Sequence, residues 1–360
     1  MAANKYGSGE VPLGDNRYVT DAPKKGYIYL CRLMQDGGGA QVNGPWIHGI
    51  SWNIFNKLSV QGAVTWSNAE FSNTVADNTR ILSGNGLPSG HTTGNFPIER
   101  SDPVYAFDRN PNSIRPQTLR DALPLDPLYS DQPSCMGGEA GIMLTGVPIF
   151  NGFDAGMRDA PAHEAQDSCQ GHPQQSGQYH YHSLSSCMKD IGEKTVIGYA
   201  LDGFPITGPL VAPGRYLTTE NLDECHGITS EIVEDGQKKT TYHYVMTQDF
   251  PYSVSCFRGK PVRTGPSNRQ NMGPSPQNGL NGNPGGGPGG GMPGGMQNGM
   301  MPPPQGPQQL GQQRQIPSEA FSACGSEGSP CGFNSPRGDR ITGICRTPPG
   351  LRQPVCIPSR

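Results

Sequence analysis

The residues best placed to do chemistry form one short alternating run, Tyr179-His180-Tyr181-His182. Because successive side chains of a strand point to opposite faces, the tyrosines share one face while His180 and His182 project side by side from the other. Imidazoles in this arrangement can share a metal ion. The tyrosines are interpreted as core packing rather than redox partners.

A metal centre needs more donors than this pair. His172 lies a short way upstream and is predicted as a third ligand, with His91 or His243 completing the shell. Neutral imidazoles suit zinc or copper. Asp167 and Asp202 are candidates to orient the ligands by accepting hydrogen bonds from them, although Asp202-Gly203 is most simply a turn. The competing interpretation is a Tyr/His-rich strand whose imidazoles bond to loops, and His48, His163 and His226 receive no role.

The pattern around this run occurs twice. Asp167-x-Cys169-x-Gly171 precedes the first Tyr-His-Tyr, and Asp223-x-Cys225-x-Gly227 precedes the second, which begins at Tyr242. Two equivalent units would each hold one strand with a local disulfide. We expect the strands to lie near one another, with both histidine faces in a shared polar pocket and His243 approaching His180 or His182.

Ten cysteines without a C-x-x-C motif indicate disulfides and an oxidising compartment. The repeat predicts the pairs Cys169–Cys187 and Cys225–Cys256, and elimination leaves Cys31 with Cys135. The four cysteines near the C-terminus should form two further disulfides, with three connectivities open: Cys324, Cys331, Cys345 and Cys356. We therefore predict a secreted protein, although no apolar run of the signal-peptide kind follows Met1. Either the chain is a fragment or mature form, or the export signal lies outside the given sequence.

Composition divides the chain into four parts. Residues 1–24 form an N-terminal segment, 25–263 a mostly β globular domain of short strands and long loops, 264–317 a disordered Gly/Pro/Gln/Met linker, and 318–360 a small four-cysteine module. Strands are predicted at 27–33, 60–66 and 241–246, and a short helix at 117–123. A net charge of −3 argues against nucleic-acid binding, and no stretch is apolar enough to span a membrane. The oligomeric state stays open.

Two further patterns lie toward the C-terminus. Arg337-Gly338-Asp339 could act as an adhesion motif on a disulfide-held loop, although a tripeptide arises easily by chance. Thioethers can bind Cu(I), but compositional bias is the simpler interpretation of the methionines in the linker: Met292, Met296, Met300 and Met301.

Several segments together resemble the YHYH-domain family. They are GNGLPSGHTTGNFPI (84–98), NPNSI (110–114), GVPIFN (146–151), DSCQGHPQQSGQYHYH (167–182), IGYALDGFPITGP (197–209), LDEC (222–225) and FPYSVSCFRG (250–259). The resemblance covers roughly residues 25–260 and implies a secreted fold of undefined biochemical role, and the four-cysteine tail looks like the module that often ends such proteins. The chain departs from the family at Thr207, where Tyr is more common, and at Val245, where a second His is common.

Two functions remain in competition. The first is a disulfide-stabilised binding component of an extracellular matrix, surface or biomineral, able to bind a metal through its histidine cluster and working without turnover. Low charge and the absence of familiar hydrolase or nucleotide-binding motifs favour it. The alternative is an extracellular copper- or zinc-dependent enzyme whose ion keeps one coordination position open.

Overall fold

The computed structural model divides the chain into two compact units, Met1–Asn278 and Gly279–Arg360, named here the main domain and the C-terminal module. Both are mostly β, as predicted. The expected linker, its methionines and the Arg-Gly-Asp tripeptide lie outside the residues that the structure describes. Those residues are 8–33, 38–188, 191–262, 324, 326–334, 340–346 and 355–358.

The secondary-structure elements are short, and the described helices are single turns. The strands are β1 (Glu10–Pro12), β2 (Tyr18–Val19), β3 (Ile28–Tyr29), β4 (Ile47–His48), β5 (Ser51–Asn53), β6 (Phe71–Ala76), β7 (Thr79–Gly84), β8 (Leu119–Pro124), β9 (Glu139–Met143), β10 (Pro148–Phe150), β11 (Gly171–Pro173), β12 (Tyr179–Tyr181), β13 (Val196–Ala200), β14 (Pro205–Thr207), β15 (Leu210–Ala212), β16 (Arg215–Tyr216), β17 (Gly227–Glu234), β18 (Gln237–Val245), β19 (Pro330–Asn334), β20 (Arg340–Arg346) and β21 (Val355–Pro358). An α-helical turn, α1, spans Ala160–His163, and 3-10 turns span Pro103–Ala106 and Thr219–Asn221.

An eight-stranded sheet forms the centre of the main domain, in the order β11-β12-β10-β9-β13-β14-β18-β17. Smaller sheets surround it: β1-β5-β4, β6-β7-β8, β2-β3 and β15-β16. Its strands carry many of the residues of the largest hydrophobic cluster, among them Tyr179, Tyr181, Ile206 and Tyr244, all fully buried. Packing is thus the role that the structure assigns to the two tyrosines of the first run, as predicted.

The eight strands are two copies of one four-stranded unit. The first repeat unit (β9, β10, β11 and β12) has the internal order β9-β10-β12-β11, and the second (β13, β14, β17 and β18) has the order β13-β14-β18-β17. Equivalent registers agree: Ile149 pairs with Tyr181 in parallel, and Ile206 pairs with Tyr244 in parallel. The duplication therefore begins well before the D-x-C-x-G motif, at a G-x-x-L-x-G-x-P-I pattern that starts at residues 141 and 198.

The two units meet through β9 and β13, which pair antiparallel about a local two-fold axis. Ile142 lies opposite Tyr199, its own equivalent in the other unit. The flanking glycines allow this close approach, because a Cβ on Gly141 would strike the carbonyl oxygen of Tyr199 and one on Gly198 would lie 2.9 Å from that of Ile142. Glycine is needed here to bring two backbones together.

The D-x-C-x-G motif is explained by the tyrosine that follows it. In the first unit the Asp167 carboxylate accepts the backbone N–H groups of Cys169 and Gly171 at 2.9 and 3.2 Å, and also the Tyr179 hydroxyl at 2.8 Å. A Cβ on Gly171 would occupy the position of the Tyr179 ring. One carboxylate thus fixes both its own turn and the strand that carries the histidine.

The second unit repeats this arrangement. The Asp223 carboxylate accepts the N–H groups of Cys225 and Gly227, each at 2.9 Å, and the Tyr242 hydroxyl at 3.1 Å. A Cβ on Gly227 would again meet the tyrosine hydroxyl. The sequence repeat is therefore a structural repeat with a shared physical cause.

The disulfides of the main domain match the predicted pairs: Cys31–Cys135, Cys169–Cys187 and Cys225–Cys256. In the C-terminal module, strands β19, β20 and β21 form an antiparallel sheet in that order. The open connectivity resolves as Cys324–Cys345 and Cys331–Cys356. All ten cysteines are paired, and the two bridges tie together a module with few apolar side chains.

Some predicted elements differ from those observed. The helix expected at 117–123 is wrong, because Leu119–Pro124 forms β8 beside β7. Leu119 and Leu123 are both buried, and a spacing of four residues places side chains on one face of either a helix or a strand. The strand expected at 60–66 is reduced to isolated bridges at Val60 and Val64, since Gly62 between them has a φ of +125°. Of the strand expected at 27–33 only Ile28–Tyr29 forms, whereas 241–246 falls largely within β18.

Asp202 is a buried carboxylate whose protonation makes the stability of the fold depend on pH. It accepts the Tyr244 hydroxyl at 2.6 Å, and burial raises its pKa to about 6, above the roughly 3.9 of an unfolded aspartate. Between these values the folded state retains a proton that the unfolded chain releases, so the free energy of unfolding falls as pH rises from about 4 to 6. We expect Asp202→Asn to remove on the order of 2–3 kcal/mol of this fall. Urea unfolding across that pH range measures the fall in the free energy of unfolding. The control is Asp126→Asn at an exposed position, which should leave this pH dependence unchanged. An unchanged pH dependence in Asp202→Asn would contradict the raised pKa of Asp202.

Candidate metal centre

Three histidines meet at the edge of the central sheet where the first repeat unit ends. His172 on β11 lies directly opposite His180 on β12, and His182 follows two residues later on the same face. Ring centroids are 4.6 Å apart for His172 and His180, and 4.8 Å apart for His180 and His182. One donor nitrogen from each ring lies within 4.8 Å of the others, and each residue is only 3% exposed.

Hydrogen bonds set which nitrogens face each other. His180 Nδ1 is 3.1 Å from the Gln178 carbonyl oxygen, and His182 Nδ1 is 2.5 Å from that of Asn151. A carbonyl oxygen only accepts, so both Nδ1 atoms carry the proton and donate it. In the neutral rings both Nε2 atoms are then bare acceptors, yet they lie 3.0 Å apart. Two facing lone pairs at this distance require a proton or a cation between them.

Burial makes the proton a poor solution at neutral pH. It lowers the pKa of His180 to about 4 and the pKa values of His172 and His182 well below the usual value for histidine. The three rings are therefore neutral at pH 7, which is the form that ligates metal ions. Both nitrogens of His172 are buried without a hydrogen-bond partner.

A fourth donor comes from Glu164, which follows the α1 turn. Its Oε2 lies 3.5 Å from His172 Nε2 and 3.6 Å from His182 Nε2, and it too is buried without a hydrogen-bond partner. Burial raises the pKa of Glu164 well above its usual value. With the imidazole pKa values lowered at the same time, these contacts are not ion pairs at neutral pH. A cation among them would supply the partner that each group lacks.

Three of the donor separations lie near the edge length of a tetrahedral zinc site. Zinc bonds of about 2.0–2.1 Å set neighbouring donors roughly 3.3–3.4 Å apart. The separations here are 3.0 Å between His180 Nε2 and His182 Nε2, and 3.5 and 3.6 Å from Glu164 to His172 and His182. Phe150 holds the His180 ring in place by stacking on it, with centroids 4.3 Å apart. The three imidazoles could therefore share a single ion, and Glu164 approaches two of them.

The second repeat unit has no such centre at the equivalent positions. Ile228 lies opposite His243, where the first unit pairs His172 with His180, and Val245 takes the place of His182. His243 is satisfied without an ion, because Nδ1 lies 3.0 Å from the Thr207 hydroxyl and Nε2 lies 2.8 Å from the Ser230 hydroxyl. The same backbone thus forms with aliphatic side chains, so folding alone does not call for the histidines.

Two predicted ligands lie away from the cluster. His91 Nε2 is 2.5 Å from the Tyr181 hydroxyl, on the face opposite His180, and the nearby Cys169 and Cys187 sulfurs are in a disulfide. His243 is five strand positions from His180, or roughly 24 Å at the usual strand spacing of about 4.8 Å. The expected shared pocket is therefore wrong: the units join at β9 and β13, which places their histidine strands toward opposite edges.

The predicted orienting carboxylates also act elsewhere. Asp167 bonds to its own turn and to Tyr179, and Asp202 bonds to Tyr244 and to the backbone N–H of Gly259. Carbonyl oxygens of Gln178 and Asn151 orient the ligands instead. Asp202-Gly203 does form the predicted turn, between β13 and β14, with Gly203 at a φ of +93°.

The histidines without a predicted role have ordinary partners. His48 lies 3.0 Å from Glu10 at the surface, His163 lies 3.0 Å from Asp15, and His226 Nε2 lies 3.0 Å from the Thr247 hydroxyl. Glu164, by contrast, was missed by sequence reasoning. It stands among scattered carboxylates, and its only signal is its position eight residues before His172.

Comparison with known proteins yields one match. The family model described as "YHYH protein" matches residues 122–216. This part of the chain is therefore similar to a YHYH domain. This match is narrower than the resemblance over 25–260; it contains the whole first repeat unit with the histidine cluster and ends before β17 and β18. No curated protein and no solved structure matches the chain, and the match to the family model assigns no reaction.

The second repeat unit suggests a test of the cluster that needs no metal. Replacing His172 by Ile, its equivalent at Ile228, removes two buried nitrogens that lack partners. Because each such group costs about 1–3 kcal/mol, we expect His172→Ile to raise the free energy of unfolding by at least about 1–2 kcal/mol. Chemical denaturation in the presence of a chelator measures this.

The matched control is His243→Ala. It removes the partner of the Thr207 and Ser230 hydroxyls and should lower the free energy of unfolding by about 1–2 kcal/mol. A loss of stability in metal-free His172→Ile would show that the imidazole serves the fold, and would contradict our interpretation.

Proposed function

We propose that this chain is a secreted metal-binding protein that holds one Zn²⁺ ion through His172, His180, His182 and Glu164. The observation that carries the proposal is the 3.0 Å approach of His180 Nε2 and His182 Nε2 while both Nδ1 atoms face carbonyl oxygens. Unpartnered polar atoms on His172 and Glu164 support it. We favour zinc over copper because the three donor separations of 3.0, 3.5 and 3.6 Å lie near tetrahedral edges, whereas Cu²⁺ favours square-planar sites.

The centre favours binding over turnover. Each histidine is 3% exposed, and four protein donors satisfy a tetrahedral ion completely. A catalytic zinc site keeps one position for water or substrate, which three imidazoles alone would allow but the approach of Glu164 opposes. The metalloenzyme alternative is therefore the weaker of the two functions.

The cellular setting in this proposal is an extracellular matrix, surface or biomineral. Five disulfides support an oxidising compartment. Within the part of the chain that the structure describes, no helix has the length and apolar character to cross a membrane. A domain bridged by disulfides and holding a buried ion suits a durable binding component that resists unfolding outside the cell.

Elemental analysis of protein purified without a histidine tag tests the metal. We expect one zinc ion per chain in the wild type, and none in the double variant His180→Ala/His182→Ala. Glu164→Gln keeps the shape of the side chain and removes its charge, so we expect it to weaken zinc binding about 10- to 100-fold. Competition with a chromogenic chelator measures this affinity.

His243→Ala is the matched control, since it removes a strand histidine of the second unit and should leave the zinc content unchanged. Metal content that is unaffected by the double variant would overturn the proposed centre. Stoichiometric copper with a square-planar electron paramagnetic resonance spectrum would overturn the choice of zinc. Tight binding that is unchanged in Glu164→Gln would remove the fourth donor and restore the open-site alternative.

A further inference from the structure

A cavity of about 420 Å³ is lined by residues of the β5 strand and the segment after it, and by none of the three clustered histidines. Its walls are largely apolar and include Trp52, Ile54, Leu184 and Ile191. Its lining also includes Phe55 and Leu58, which are 56% and 38% exposed. Large apolar side chains at the mouth of an apolar cavity mark a binding site more often than a packing defect.

One cationic side chain lines this cavity. The Lys57 ammonium donates to the Pro161 carbonyl oxygen at 2.5 Å and to Gln166 Oε1 at 3.1 Å, which leaves one of its three N–H donors free. Both acceptors are neutral. Among the described residues, no carboxylate oxygen forms a salt bridge with Lys57 within 4.0 Å. The cavity wall therefore carries a positive charge without a counter-ion in contact.

The carboxylates that act on Lys57 from a distance have other partners. Asp159 accepts the Tyr252 hydroxyl, Asp108 accepts the backbone N–H of Ala165, and Glu164 faces the histidines. Asp167 also lines the cavity, but its oxygens are bonded to its own turn and to Tyr179. Burial lowers the pKa of Lys57 to about 8, as expected for an ammonium group withdrawn from water.

We propose that this cavity binds a small apolar carboxylic acid, with the carboxylate on the free N–H of Lys57 and the hydrocarbon body against Trp52, Ile54 and Leu184. A charge-assisted hydrogen bond to a partly desolvated ammonium is among the stronger neutral-pH interactions available to a small ligand. The Ser183 hydroxyl, which also lines the cavity, offers a second donor. The cavity shares no lining residue with the proposed metal centre.

Isothermal titration with octanoate and with 1-octanol tests the proposal on the full chain, since the two probes share a body and differ in charge. We expect octanoate to bind the wild type at least tenfold more tightly than octanol. Lys57→Met should remove this preference, and Lys57→Arg should retain it. The exposed Lys238→Met is the matched control and should behave as the wild type.

Leu184→Trp fills the cavity and should weaken binding of both probes at least tenfold, so it decides the question even if Lys57→Met fails to fold. Equal affinity of the wild type for octanoate and octanol would overturn the choice of an acid. A preference for octanoate that survives in Lys57→Met, or binding unaffected by Leu184→Trp, would place the ligand elsewhere. Absence of octanoate binding to the folded wild type would overturn the proposal altogether.

Discussion

The architecture of the main domain depends on a buried tyrosine hydroxyl that bonds to a turn carboxylate across a glycine. Tyr179 meets Asp167 over Gly171, and Tyr242 repeats the contact with Asp223. Each carboxylate also accepts the N–H groups of its own turn, so the turn, the strand and the aromatic core form together. A buried carboxylate without these donors would cost several kcal/mol. Aspartate, glycine and tyrosine are thus required as a set.

Comparing the two repeat units distinguishes the residues that the fold requires from the residues that only the first unit contains. Backbone pairing, the disulfide position and the Tyr–Asp contact are common to both units. His172 and His182 are specific to the first unit, since Ile228 and Val245 fill the equivalent positions in the second, whereas His180 corresponds to His243. Burying these polar side chains is unfavourable, and the second unit folds with aliphatic residues in their place. A ligand bound in the first unit explains why they are present there. This comparison within one chain supports a metal centre independently of the donor distances.

The two proposed sites use opposite electrostatic arrangements. At the histidine cluster, the Nε2 lone pairs of His180 and His182 face each other, and a cation bound there would satisfy both. At the cavity, a lysine with neutral partners faces an apolar space, and an anion with a hydrocarbon body complements it. Glu164 lies between the two, since it acts on Lys57 electrostatically while its Oε2 faces the imidazoles.

Local features of this protein were readable from the sequence by itself. Alternation places His180 and His182 together, and the repeat pairs Cys169 with Cys187, because these relations span few residues. Tertiary structure alone decided the rest. The order of the strands places His243 five strands from His180, and the tertiary fold places Glu164 beside the imidazoles. The order of strands in a sheet depends on many long-range contacts together, such as the pairing of β9 with β13. Residue spacing along the chain does not reveal these contacts.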